Sequence, residues 1–286
     1  MEIHRFYEPR SFLARVKPLL DRHPGKYNLI RRVLHVLIET DQYKQFYLFS
    51  VTDNGRVVGA ALWTPPHPVQ VTELPPAAVG PLVRAIAKCE DQALSLGGPR
   101  PSVDSLAEDF AKNQKFQVSS FLAQGVYQLE EVSALEPGEG CLRYATHLDL
   151  DLLTAWNVEF QREAWGPTNP DLARRAAERA LANRSAFFWT IDRERVAMAG
   201  AHVCPPYGRT IGPVYTPEVH RGKGYATSLV WTLSRALLQA GNRYCFLHTD
   251  LANATANSIY RKIGYEQIGE AAHVTFKPEN RAAKIA

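Results

Sequence analysis

Two stretches of this chain, roughly half its length apart, follow the same plan. Phe46–Val51 (FYLFSV) passes through the turn Asp53-Asn54-Gly55 into Arg56–Trp63 (RVVGAALW), and Pro65-Pro66 follows. Ala186–Ile191 (AFFWTI) passes through Asp192–Glu194 into Arg195–Val203, and Pro205-Pro206 follows. Each pair of β-rich runs around a polar turn, closed by prolines, reads as a β-hairpin. A repeat of this period is too long for a solenoid and instead suggests two copies of one fold.

The order of elements around the hairpins is also shared. Helical segments precede each one: Ser11–Leu20 and Leu29–Thr40 in the first half, Leu150–Trp165 and Asp171–Asn183 in the second. A strand, a helix, a strand, a helix and a final strand are expected after each. In the second half these are Ile211–Tyr215, Gly224–Ala240, Tyr244–Thr249, Ala254–Lys262 and Ala272–Phe276. Antiparallel strands leading into a βαβ crossover predict an α/β fold, here of the α+β mixed-sheet kind: a twisted mixed sheet with helices on both faces, present twice in tandem. Pro and Gly cluster at Glu136–Gly140, so the expected domains are 1–136 and 141–286.

The stretch from Val214 to Ala226 (VYTPEVHRGKGYA) carries the clearest chemistry. A strand runs into a loop and a helix begins near Gly222–Gly224. The first-turn amides of a helix lack intrahelical partners and sit at the positive end of its dipole, so they suit a pyrophosphate. Gly222 and Gly224 let the ligand approach the backbone. Arg221 and Lys223 add positive charge, and Ala226 lets the helix pack closely. A P-loop would need Ser or Thr after Lys223, where Gly224 stands. A Rossmann turn would need a third glycine at Thr227 and a tight strand-to-glycine connection, whereas Thr216–Arg221 intervene.

After the next strand, Asn253, Asn257 and Tyr260 fall at helical spacing on one face, while Ala256, Ile259 and Ile263 fall on another. An amide and a phenol on one stripe suit a ligand that needs hydrogen bonds and a proton. Equally, Asn253 suits a helix cap and Tyr260 an ordinary half-buried aromatic. Gly264 reads as the helix C-cap.

Composition excludes several classes. Hydrophobic residues are 45% and charged residues 22% of the chain, within the globular norm. A net charge of +4 falls short of the basic stripe of a nucleic-acid binder. The four cysteines, Cys89, Cys141, Cys204 and Cys245, are far apart, which argues against a zinc site or disulfide framework and for buried thiols. The charged N-terminus is unlike a signal peptide and no run is long enough for a membrane span, so a cytoplasmic protein is expected, without nucleic-acid or membrane partners.

Together these stretches resemble the GCN5-related N-acetyltransferase (GNAT) superfamily. Val214, Pro217, Arg221, Gly222, Lys223, Gly224 and Ala226 are similar to its acetyl-CoA motif. Asn253, Ala256, Tyr260, Lys262, Gly264 and Tyr265 are similar to the motif that follows. The resemblance covers roughly Arg195–Phe276, and more faintly Phe46–Pro66, so the whole looks like a tandem member with a degenerate first copy. It implies acetyl-CoA as co-substrate, without a metal, contacted by Val214, Tyr215 and Thr216 on the strand end, by Arg221, Gly222, Lys223, Gly224, Tyr225 and Ala226 on the turn, and by Asn253, Asn257 and Tyr260. It implies direct transfer to an amine, with Tyr260 as acid for the departing thiolate.

The base is open: Glu218 lies near the cofactor loop but also reads as a solvated turn, and Glu163 and His202 are further candidates. Acceptor contacts are expected near Glu163–Trp165 and Tyr207–Arg209. A small-molecule amine is the expected acceptor, for a monomer or homodimer. A protein lysine or N-terminus, or an acyl-CoA-sensing module without turnover, are the alternatives. The first copy has Pro75-Pro76 where the glycine turn would be and Phe110 where the tyrosine would be. It is expected not to bind acetyl-CoA productively.

Overall fold

The computed structural model describes residues 1–89, 92, 95–113, 116–166 and 168–278. It separates into two compact units. The first comprises Met1–Val126, Thr249–Ala252 and the residues from Gln267 on; the second comprises Tyr127–His248 and Asn253–Glu266.

The first unit begins with β1 (Glu2–Phe6), α1 (Pro9–Leu20) and α2 (Asn28–Glu39). The hairpin β2 (Tyr47–Asp53) and β3 (Arg56–Trp63) follows, then β4 (Val69–Val71), α3 (Pro76–Ile86), β5 (Ser95–Pro99) and α4 (Arg100–Asn113). Next comes β6 (Phe116–Leu129), of which Tyr127–Leu129 count with the second unit. The second unit continues with β7 (Cys141–Tyr144), α5 (Leu150–Trp165), α6 (Pro170–Ala182), β8 (Ala186–Ile191), β9 (Glu194–Cys204) and β10 (Gly208–Tyr215). Then come α7 (Tyr225–Gln239), β11 (Tyr244–Asp250), α8 (Ala254–Ile263) and β12 (Glu266–Pro278).

The expected mixed sheet with helices on both faces is present in each unit. In the first, β1, β2, β3 and β4 run antiparallel and β5 joins β4 in parallel. In the second, β7, β8, β9 and β10 run antiparallel and β11 joins β10 in parallel. Alternation along each hairpin explains the two helical layers. Leu48 and Leu62 pack with Phe12, Leu20 and Leu34 of α1 and α2, while Phe49 and Trp63 pack with Leu82, Val103 and Phe110 of α3 and α4. The second hairpin repeats this at matching positions. Phe188 and Met198 meet Leu153 and Trp156 of α5, whereas Phe187 and Trp189 meet Leu229, Trp231 and Tyr260 on the α7 and α8 side. Both hairpin turns place two residues at positive φ, Asn54 and Gly55 in one, Asp192 and Arg193 in the other, as a tight two-residue hairpin requires.

The expected division at 136–141 differs from the observed one. The Glu136–Gly140 segment lies inside the second unit, where the Gly138 amide donates to Ser228 Oγ at 2.9 Å and Trp189 Nε1 donates to the Glu139 carbonyl at 2.9 Å. The final strand also belongs elsewhere. β12 pairs antiparallel with β5, Ala272 opposite Gly98 and Val274 opposite Leu96, and its Phe276 stacks on Phe110. A sheet recruits whatever strand completes its ladder, and turn composition carries no information about that choice. β1 and β7 are strands that the hydrophobic pattern did not suggest, because both are short and largely exposed. Of the cysteines expected to be buried, Cys204 and Cys245 are, Cys89 is partly so, and Cys141 is exposed.

One buried charge anchors the second unit. Asp149 is 2% exposed. Its carboxylate accepts from Arg143 at 2.8 and 2.9 Å, from Arg195 at 3.0 Å, and from the Thr146 amide at 2.9 Å. Burial alone would raise its pKa. The two guanidiniums and the Thr146 donors overcome that and hold it well below the usual carboxylate range. Its stabilising contribution is therefore complete above the unfolded carboxyl pKa, and is lost as the pH falls through the depressed folded value. Asp149→Asn should destabilise the second unit by about 3 kcal/mol, because two guanidiniums lose their counter-charge. Chemical denaturation at pH 7 and pH 3 checks this: the deficit should shrink at the lower pH.

Candidate functional site

The site builds outward from a break in one strand pair. β10 and β11 pair in parallel only at Gly208–Thr210 opposite Tyr244–Phe246, although both strands continue. Beyond that point, within the second unit, Ile211–Tyr215 and Leu247–His248 are not paired with each other. The cause lies on the other side of β10. Its register against β9 shifts between Ile211 and Val214, at Gly212-Pro213, where Gly212 has φ 142° and Pro213 has no amide hydrogen. A bulge bends its strand, and the pairing of β10 with β11 ends at Thr210, where this one begins. The open backbone edge can accept an extended, amide-bearing ligand as an added strand.

The loop after β10 leads to the glycine turn. Gly222 and Gly224 have φ 78° and 79°, left-handed values that glycine adopts without strain. A Cβ on either would meet no protein atom within 4 Å. Gly224 is the N-cap of α7 and offers no side-chain acceptor, and the first turn of α7 holds no acidic residue. The amides of Tyr225, Ala226 and Thr227 precede the first helical bond, which Ser228 makes to the Gly224 carbonyl at 3.0 Å. These donors and the helix dipole suit an anionic ligand. α8 shows the contrast: Asn253 Oδ1 caps it by accepting the Ala256 amide at 2.9 Å.

Arg221 lies beside the turn with its guanidinium engaged. Nε donates to the Thr216 carbonyl at 2.9 Å, and Nη2 reaches both carboxylate oxygens of Glu163 at 2.7 and 2.8 Å. The hydrogen bond to Glu163 is the main reason its pKa rises. Glu163, a candidate base in the sequence, is thus the counter-ion of Arg221, and this pair ties the end of α5 to the loop. Lys223 is exposed on the turn, and Glu218 is exposed on the single 3-10 turn Glu218–His220. Thr216 Oγ1 is buried without a hydrogen-bond partner among the described residues. His202 sits on β9 opposite Thr210, and Tyr207 packs toward Tyr244; both have other partners as well. Trp165 is half exposed at the end of α5.

The α8 stripe is brought together as the spacing predicts, with roles divided. Asn253 serves as the cap. Asn257 is 4% exposed; its Nδ2 donates to the Asn253 carbonyl at 2.7 Å and its Oδ1 accepts from the Tyr127 hydroxyl at 2.8 Å. Tyr127 was not singled out in the sequence; it comes from β6, far from either motif. Tyr260 is 8% exposed and shares a cluster with Ile211, against which Val214 packs. Burial pushes its pKa up to about 12, so it keeps its proton at neutral pH. Its neighbour Tyr265 bonds Ser234 Oγ at 2.8 Å, whereas the Tyr260 hydroxyl has no protein partner among the described residues. A nearly buried phenol with an uncommitted proton can donate to a ligand.

Comparison with known proteins agrees with this geometry. Residues 190–274, which run from the end of β8 through the turn and α8 into β12, match the FR47-like protein family. No curated protein sequence matches the chain. Among solved structures, a GCN5-related N-acetyltransferase from Sphaerobacter thermophilus aligns with TM-score 0.61 at 16% identity, over 96% of this chain and 95% of its own. A GNAT-family acetyltransferase from Colwellia psychrerythraea aligns with TM-score 0.58 at 12% identity, over 97% and 100%. A tandem GNAT protein from the clavulanic acid biosynthesis pathway aligns with TM-score 0.54 at 14% identity, over 96% and 97%.

The bulge that opens the site depends on glycine at a second position. A Cβ on Gly200 of β9 would stand 2.4 Å from the Gly212 carbonyl oxygen. Gly200→Ala should therefore destabilise the protein by about 1–3 kcal/mol through overpacking against backbone, seen as a lower Tm by calorimetry. An unchanged Tm would show that the bulge can relax. With this geometry and these matches, residues 190–274 are similar to the FR47-like family and the chain has the fold of the GNAT acetyltransferases, in its tandem form.

Proposed function

We propose that the second unit binds acetyl-CoA and transfers its acetyl group directly to a primary amine, with a small molecule as acceptor. One observation carries this reading: the break between β10 and β11 lies beside an uncapped, glycine-led helix. The first suits the amide-bearing pantetheine arm, and the second suits the diphosphate. In this reading Val214, Tyr215 and Thr216 line the arm, while the amides of the Gly222–Ala226 turn and Lys223 hold the phosphates. Asn253 and Asn257 shape the wall of the opening more than they contact the ligand, since their carboxamides are committed to the cap and to Tyr127.

The acceptor nitrogen attacks the thioester carbonyl carbon, and a backbone amide near Val214–Tyr215 stabilises the oxyanion. Collapse breaks the C–S bond, and Tyr260 gives its proton to the departing sulfur. The amine proton passes to Glu218, a carboxylate with no ion pair among the described residues. Holding amine and thioester together supplies much of the acceleration.

We assign no acetyl transfer to the first unit. α3 starts at Pro75-Pro76, so its first turn offers fewer free amides. β4 pairs with β5 at Val69–Leu96 and Gln70–Gly97, and at the next position a Cβ on Gly98 would stand 2.5 Å from the Val71 carbonyl oxygen, which leaves no room for a ligand arm between the strands. Phe110, buried against Phe276, has no proton to give.

Tyr260→Phe tests the role of the phenol. A thiolate already leaves well, so kcat should fall by about tenfold, below the usual range for a general acid, while the acetyl-CoA Kd stays within about twofold because the ring remains. An unchanged kcat would remove Tyr260 from the mechanism. Isothermal titration should give one acetyl-CoA site per chain; two sites would return the first unit to consideration. CoA release across a panel of small amines and lysine peptides distinguishes the acceptor classes. Acetyl-CoA binding without release in any arm would leave a sensor.

A further inference from the structure

The first unit has a cleft of about 210 Å³ at the carboxyl end of β4. That is room for several water molecules, at about 30 Å³ each. Its apolar floor is Leu19, Tyr27 and Val58, and its rim carries Arg22, His23, Arg56 and Glu73. In the order of elements this is the end of the sheet where the second unit ties α5 to its glycine-turn loop.

The charges on the rim do not cancel. Glu73 is already taken: Lys26 Nζ lies 2.9 Å from one oxygen, and the Tyr27 hydroxyl donates to the other at 3.4 Å. The Lys26 hydrogen bond is the main reason its carboxyl pKa is lowered. This contact joins the helix pair to the post-β4 loop with charges opposite to those of Glu163 and Arg221 in the second unit. Tyr27 is 2% exposed, and burial pushes its phenol to about 12, so the floor stays neutral. The guanidiniums of Arg22 and Arg56 make no ion pair or hydrogen bond with the protein among the described residues. Two uncommitted guanidiniums thus face a neutral, apolar floor with a ring edge from His23 packed on Tyr27.

We propose that this cleft binds a small organic carboxylate. Guanidinium presents a planar fork that matches a carboxylate. Leu19, Val58 and the Tyr27 ring then bury the ligand's apolar body. A compact, strongly hydrated anion gains nothing from such a floor. The first unit is in this account a ligand-binding module for an acid, a function independent of the transferase reading of the second.

Titration of the full chain with sodium benzoate, followed by calorimetry and by chemical shifts, tests this. Benzoate should bind saturably, while benzamide, its neutral isostere, and inorganic phosphate should each bind about tenfold more weakly or not at all. The Arg22→Ala/Arg56→Ala double variant should lose about tenfold in benzoate affinity, and each single Gln variant should lose part of that. Both arginines are exposed, so Tm and acetyl-CoA affinity should be unchanged. Absence of benzoate saturation in the millimolar range, equal affinity in the double variant, or phosphate binding as tightly as benzoate would each overturn the proposal.

Discussion

The second unit's site depends on one interruption of backbone hydrogen bonding. Parallel strands in a sheet interior normally satisfy each other along their whole shared length, since unpaired backbone groups in a core are costly. β10 and β11 stop after Thr210 and Phe246. The Gly212-Pro213 bulge makes the separation, Gly200 gives the bulge room, and Tyr260 and Ile211 close the floor behind it. A cleft made in this way already has recognition groups, because backbone that would pair with a strand is left open to a ligand.

The two units treat the corresponding end of one architecture differently. Their hairpins are superimposable in pattern: Leu48 and Phe188 serve one helical layer, Phe49 and Trp189 the other. The divergence is concentrated at the carboxyl end of the fourth-strand equivalents. In the first unit Gly97 and Gly98 press onto Gln70 and Val71, which leaves no gap between the two strands one residue past their paired positions. In the second, a proline sits inside the strand and the ladder opens. Core packing is conserved between the units while the chemistry of the loops is free to differ.

Much of this was legible in the sequence, for local reasons. The glycine turn, the helix that follows it and the α8 stripe depend on residues close together in the chain, and spacing reports them well. The ion pair between Arg221 and Glu163 was not legible, since it joins residues far apart whose approach only the folded chain decides. Tyr127 was missed for the same reason. The bulge left a trace, Gly-Pro inside a strand, which marks an irregular ladder; the reading of Ile211–Tyr215 as a plain strand passed over it. The division between units was the largest difference. Its cause is non-local pairing of β12 with β5, and no composition rule reports which strands will meet.

That pairing also bears on how the protein is made. The strand that completes the first unit is translated last, after every other element of both units. On the ribosome the first unit must wait with β5 and the Phe110 surface uncovered while the second is synthesised. Contacts this distant in sequence form slowly. A chain arrested before β12 would keep an open sheet edge and an exposed apolar face, the features that chaperones recognise and aggregates exploit. Synthesis through β12 is thus a condition for the first unit to finish folding.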